Sequence, residues 1–181
     1  MNKKYTSKNT SVNSKRVPKG LSLLYPYGNV LDYGCGKYWK INKKYVEERG
    51  ATYTPYDPYN IDNNINLYEH KGKFDTIYCT NVLNVLSDAY EIIEIIEEIA
   101  NLLKTNGIAI FTVYEGDKTG IGKETKKDCW QRNMKTKSYH WFFEYAVIKR
   151  CLVTVRHDHI KMRKLTRSEY LELDGTMEKP F

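Results

Sequence analysis

The feature that most constrains this chain is the octapeptide Val30-Leu31-Asp32-Tyr33-Gly34-Cys35-Gly36-Lys37. A short apolar run ends in an acid and then in two glycines one residue apart. Glycine has no Cβ and tolerates positive φ, so a strand that stops this way can turn sharply and bring its backbone close to a ligand. The next segment, Tyr38 to Arg49, reads as a helix closed by Gly50. A helix start behind a glycine turn leaves N–H groups facing the same crevice, as in a nucleotide-type cofactor site.

Strand and helix patterns then alternate. Ala51 to Tyr56 reads as a second strand that stops at Asp57-Pro58. Residues 59–72 are polar and Asn-rich, with Ile61, Ile65 and Leu67 as their only apolar anchors, so that unit is short or degenerate. Phe74 to Thr80 reads as a strand buried on both faces. Asp88 to Lys104 is the clearest helix: Ile92, Ile96, Ile99 and Leu103 recur at helical spacing, acids crowd its first turns, and Asn106-Gly107 closes it. Ile108 to Tyr114 is another buried strand. This order predicts an α/β fold with a mainly parallel sheet and helices on both faces. Beyond Glu115 the spacing predicts a glycine-containing basic loop over 116–137 and an aromatic-rich helix from Ser138 to Cys151. A C-terminal antiparallel pair, Leu152 to Arg156 with Ile160 to Leu165, completes the fold. With 181 residues and 41% apolar content, one domain over residues 20–181 is expected, preceded by a basic N-terminal arm over 1–19.

Several classes are disfavoured. No apolar run reaches membrane-spanning length, so no membrane partner is expected, and the basic N-terminus lacks the apolar core of a secretory signal. Cys35, Cys79, Cys129 and Cys151 are scattered, which argues against a zinc cluster or disulfide framework and for a reducing, cytoplasmic setting. His157-Asp158-His159 has no further ligand nearby and reads as solvated, so no metal site is expected. Gly120-Ile-Gly-Lys lacks P-loop spacing.

In open α/β sheets, ligands bind outside the carboxyl ends of the strands. Three such ends are readable: Asp32-Tyr-Gly-Cys-Gly, Tyr56-Asp57-Pro58-Tyr59 and Cys79-Thr80-Asn81-Val82-Leu83-Asn84. Asp57 follows the glycine turn at the spacing of an acid that accepts from ribose hydroxyls. A nicotinamide fingerprint would place a third glycine where Trp39 stands, which counts against a dehydrogenase. Asp57-Pro58-Tyr59 lacks one proline of the Asp-Pro-Pro-Tyr motif of amino-methylating DNA enzymes and follows the wrong strand. Cys79 has no preceding proline and reads as a buried strand cysteine.

These three strand ends, in this order, resemble the class I S-adenosylmethionine-dependent methyltransferases over about residues 20–115. The similarity is closest to short methyltransferases of phages and mobile elements. The resemblance implies a Rossmann-like methyltransferase fold with S-adenosylmethionine as cofactor. It places the methionine part near Asp32, Gly34, Cys35 and Gly36, and the adenosine under Asp57 and Pro58. Thr80, Asn81 and Val82 would line the methyl-transfer cleft. For orienting a weak nucleophile the candidate is the Asn81 amide, with Tyr114 and Glu115 as further options; Asn81 reads equally well as a turn amide capping the next helix. Asn66 or Tyr68 could read the adenine amino group.

The methyl acceptor is read from charge. Residues 1–28 carry six basic side chains and no acid, residues 118–137 seven against two acids, and residues 148–168 seven against Asp158 alone. Such segments suit solvated loops and a lysine-guarded edge strand, or one face that meets a polyanion. The latter, with the mobile-element resemblance, makes a nucleic acid the expected acceptor. A small molecule or protein acceptor stays open, as does a non-catalytic S-adenosylmethionine-binding subunit.

Overall fold

The structure, a computed structural model, describes residues 16–126 and 129–176. Residues 1–15 of the expected arm lie outside the described residues. The elements in chain order are α1 (Lys19–Ser22), β1 (Asn29–Tyr33), α2 (Trp39–Glu47), β2 (Thr52–Tyr56), β3 (Phe74–Thr80), α3 (Ala89–Leu102) and β4 (Leu103–Thr112). A short hairpin, β5 (Lys123–Lys126) and β6 (Cys129–Gln131), precedes α4 (His140–Tyr145), β7 (Cys151–Val155), β8 (Ile160–Lys164) and α5 (Arg167–Thr176).

Six strands form one sheet in the order β2-β1-β3-β4-β8-β7. The first four are parallel; β8 runs antiparallel to β4, and β7 antiparallel to β8. Alternate residues of the central strands feed two different layers, which is why they read as unbroken apolar runs. Leu31, Ile77, Ala109 and Phe111 meet Ile92, Ile96 and Ile99 of α3 and Phe142 and Phe143 of α4 on one face. Val30, Tyr78 and Ile110 meet Leu21 of α1 and Val46 of α2 on the other. The fold is the anticipated Rossmann-like one, with the C-terminal antiparallel pair joined to the parallel sheet beside β4.

One local expectation is met and three are corrected. The region 59–72 holds only a 3-10 turn, Leu67–His70, in keeping with the short or degenerate unit expected there, so β2 is one edge of the sheet among the described residues. Thr52 N donates to Gly28 O (3.0 Å) and Tyr56 O accepts from Gly34 N (2.7 Å). The backbones of residues 52, 54 and 56 therefore face β1, and that of Pro55 faces outward. Asn106-Gly107 does not cap α3: Leu103 already pairs with Phe74, and residues 104–107 bulge out, with Asn106 at φ +65°, before Ile108 pairs with Thr76. The basic loop contains the β5–β6 hairpin. The aromatic helix ends at Tyr145, because Glu97 Oε1 accepts the N–H of Val147 (2.7 Å) and the chain leaves extended at Ala146. Within it only Phe142 and Phe143 are buried; Trp141 and Tyr145 are exposed.

Helix α5 has a sequence signal that the periodicity did not show. Thr166 Oγ1 accepts from Glu169 N (3.2 Å), and Glu169 Oε2 accepts from Thr166 N (2.8 Å), a reciprocal capping box at Thr-Arg-Ser-Glu. Replacing Thr166 by Ala is expected to speed amide hydrogen exchange at residues 167–170 about fivefold, the effect of one lost cap, and to leave β1 and β3 protected. Uniform exchange across both regions would contradict this cap.

Candidate active site

The strand order reverses between β1 and β3, which makes their carboxyl ends the switch point at which open α/β sheets bind ligands. The glycine turn is built there. Gly34 N and Cys35 N both donate to the carbonyl of Tyr56 at the end of β2 (2.7 and 3.2 Å). Gly34 and Gly36 have φ of +76° and +69°. A Cβ on Gly34 would lie 2.3 Å from Val82 Cγ2, so the first glycine is required by packing against the segment after β3. A Cβ on Gly36 would meet nothing within 4 Å, so the second glycine opens onto empty space.

Asp57 joins this turn to the loop after β2. Its Oδ2 accepts from Gly36 N (2.9 Å), and its Oδ1 accepts from Tyr59 N (2.9 Å), Asn60 N (3.0 Å) and Asn60 Nδ2 (3.0 Å). Asn64 closes the loop from behind, accepting from Asp57 N and donating to Asp57 O. Asp32 lies deeper. Its Oδ2 accepts from Tyr53 OH (2.6 Å) and Asn42 Nδ2 (2.8 Å), fixing β2 and α2 against the start of the turn. Burial raises the Asp32 carboxyl to about 6 against these two stabilising bonds. The thiols of Cys35 and Cys79 are also pushed up, chiefly by burial, so neither is a thiolate at neutral pH. Cys79 lies in the core and away from the cavity.

The three strand ends surround a cavity of about 880 Å³. Asp32, Gly34, Cys35, Gly36, Asp57 and Pro58 line it from one side, and Thr80, Asn81 and Val82 from the other. Two atoms of lining residues, Thr80 Oγ1 and the Tyr59 hydroxyl, are sealed and unpartnered among the described residues. Asn81 is exposed, at φ +58°, and its N–H donates to Thr112 O (2.8 Å). Of the other candidates, Tyr114 lines the cavity, whereas the Glu115 carboxylate holds Thr136 N (2.8 Å). Asn66 caps the 3-10 turn and Tyr68 points to solvent; neither reaches the cavity.

Three groups of lining residues were not singled out for the site from the sequence. The stretch Arg16–Lys19 roofs the cavity, Glu91, Glu94 and Glu98 form an acidic stripe of α3 along it, and Asn84 sits on its floor. The Tyr33 hydroxyl donates to Glu98 Oε2 (2.6 Å). The roof is held by Lys19 Nζ, 2.9 Å from Asp158 Oδ2 in the β7–β8 turn, where His159 also meets Asp158 (2.8 Å). The β5–β6 hairpin is tied to the floor: Arg132 N donates to Asn84 O (2.6 Å), and its guanidinium to Ser87 O (2.6 Å). No group of three or more metal-ligating side chains occurs among the described residues, and no described helix is long and apolar enough to cross a membrane.

A Rossmann-like sheet with a polar crevice at its switch point defines a cofactor-binding α/β protein. The profile of the family described as "Methyltransferase domain" matches residues 6–163. The chain therefore belongs to this family and is an S-adenosylmethionine-dependent methyltransferase. Among solved structures it is similar to the 1,6-didemethyltoxoflavin-N1-methyltransferase of Burkholderia thailandensis, solved with 1,6-didemethyltoxoflavin and S-adenosylhomocysteine. That similarity has 18% identity and a TM-score of 0.58, over 81% of this chain and 75% of that one. An S-adenosylmethionine-dependent methyltransferase of Mesorhizobium loti matches at 12% identity and a TM-score of 0.53, over 83% of this chain and 98% of that one. At these identities the likeness is one of fold. No curated protein sequence matches significantly.

The buried Asp32 gives the fold a pH dependence with a definite sign. Its folded value, about 6, lies above its unfolded value, so the native state keeps a proton that the unfolded chain releases. Stability from this group is full below about pH 4 and falls by about 3 kcal/mol as pH rises through about 6. In urea melts across that range, the native protein should lose stability relative to Asp32→Asn; parallel curves would show that the carboxyl titrates normally.

Proposed function

We propose that this enzyme methylates a nucleic acid, DNA or RNA, with the acceptor site at the mouth of the cavity and the phosphates on the surrounding cations. One observation supports this reading: Arg16 and Lys19 of the first basic segment stand over the cavity, with parts of the other two segments beside them. Lys19 of the first contacts the β7–β8 turn of the third, and Arg16 shares the cavity lining with Gln131 of the second. The similarity of the glycine turn and of Asn-Val-Leu-Asn-Val to short phage and mobile-element enzymes favours the same acceptor. The basic arm 1–19 would then extend the phosphate contacts beyond the single domain that follows it, in a reducing, cytoplasmic setting.

In this reading Asp57 accepts from the ribose hydroxyls, Pro58 and Tyr59 flank the adenosine, and the open space over Gly36 receives the methionine part. Asp32 and Cys35 support that turn from below, while Thr80, Asn81 and Val82 border the methyl-transfer cleft. Bound S-adenosylmethionine supplies an activated methyl group on a sulfonium. The protein's contribution is alignment and exclusion of water. A second reading, a small-molecule acceptor, is favoured by the roof of Arg16–Lys19, which encloses part of the cavity.

Two measurements test this. By calorimetry, Asp57→Ala and Asp57→Asn should weaken S-adenosylmethionine binding on the order of 10- to 100-fold, as for loss of charge-assisted hydrogen bonds. Unchanged affinity would remove Asp57 from the site. Labelled methyl groups should appear on DNA or RNA, with an affinity that falls steeply as salt is raised. Label confined to the small-molecule fraction, or salt-independent binding, would overturn the nucleic-acid acceptor.

A further inference from the structure

Asn84 lies in the 3-10 turn Leu83–Val85 that follows β3 and is 1% exposed. A buried primary amide needs partners for both of its ends. One end is settled: Tyr114 N, at the close of β4, donates to Asn84 Oδ1 (3.3 Å). Because that partner is a donor, the oxygen must face it, and the NH₂ group is left for the other side. Nδ2 has no acceptor among the described residues, yet it is not sealed like Thr80 Oγ1, and Asn84 is a lining residue of the cavity. The backbone is pinned as well, since Asn84 O accepts from Arg132 N (2.6 Å). The backbone beneath the amide is thus held, and the side chain cannot swing away without breaking its contact with Tyr114 N.

We infer that Asn84, and not Asn81, holds the methyl acceptor: its Nδ2 donates to a carbonyl oxygen or unprotonated ring nitrogen of a heteroaromatic ring. Asn81 is exposed and occupies a left-handed turn, so its amide is poorly fixed. Beside Asn84 the lining is apolar, with Val85 and Leu86 both buried, and the exposed ring of Tyr114 stands at the rim. A flat ring suits that floor, and a single donor on it selects a ring with an acceptor atom next to the nucleophile. The new bond forms from that nucleophile to the methyl carbon as the carbon–sulfur bond breaks, its electron pair staying on sulfur. The acceptor's proton, where it has one, leaves to water. This inference rests on the cavity being the methyl-transfer site. It does not depend on whether the ring belongs to a nucleic acid or to a free heterocycle.

The test measures labelled-methyl transfer by the full chain to three sets of probes: single-stranded DNA and RNA oligonucleotides, free nucleosides, and aliphatic amines and carboxylates. The native protein, Asn84→Asp and Asn84→Ala are compared, with S-adenosylmethionine affinity measured in parallel. The expected result is transfer to oligonucleotides or nucleosides, with kcat/KM about 100-fold lower in both variants, the scale of a misplaced reactant. Cofactor affinity should stay within about twofold, since no cofactor contact is assigned to this amide. Replacing the accepted ring nitrogen by C–H in the nucleoside should cost the native protein a similar factor and cost Asn84→Ala little more. Transfer to nucleosides alone would sink the nucleic-acid reading and leave this inference standing. Equal kcat/KM in native and variant proteins would sink the inference and leave that reading intact. Label on aliphatic probes only, no label on any probe, or loss of cofactor binding in both variants would overturn the inference.

Discussion

The carboxylate of Asp57 is the interaction on which the site depends. It is nearly buried, and four N–H groups from three residues converge on its two oxygens. One of those donors is Gly36, in the turn after β1; the others belong to the loop after β2. Without the acid, the Gly36 N–H would lose its protein acceptor, and the two loops would be joined only by the Tyr56 carbonyl. The end of β2 thus holds the glycine turn twice, once through a backbone oxygen and once through a charge. Because each carboxylate oxygen has more than one lone pair, the same group can organise its loops and still accept from a ligand.

Charge is distributed on two scales around this centre. Inside the cavity, Asp57 and the α3 stripe of Glu91, Glu94 and Glu98 form an acidic wall. Over it stand Arg16 and Lys19, with Gln131 of the hairpin also lining the cavity. The acidic wall suits a cationic methyl donor, and the two cations of the roof lie over the same cavity. The roof joins the cavity to the β7–β8 turn, since Lys19 is at once a lining residue and the partner of Asp158.

Much of this was legible in the sequence because the central strands carry their own instructions. Val30-Leu31 and Ile77-Tyr78 are apolar without alternation, as strands covered on both faces must be, and each ends in residues that serve the crevice. What escaped was decided by single long-range contacts. The N–H of Val147 ends α4 by reaching a carboxylate fifty positions earlier in the chain, which no local pattern reports. Asn84 reads only as the last residue of a strand end and the acids of α3 only as helix acids, because nothing in their spacing says that they line a cavity. The capping box at Thr166 was readable, but the helix behind it is polar and mostly exposed, so periodicity gave no reason to look there.

The short unit over 59–72 has a consequence for how copies of the chain behave toward one another. It leaves β2 with an open side, and an open side is a template on which a second chain can lay down hydrogen bonds. Of the two residues whose backbones face outward within β2, one is Pro55, which has no amide hydrogen. Only Tyr53 can offer a donor along that margin, too little to seed an intermolecular ladder. At the β2 edge of this shortened sheet a single imide nitrogen thus removes one of two outward donors, at no cost to the hydrogen bonds that tie β2 to its neighbour.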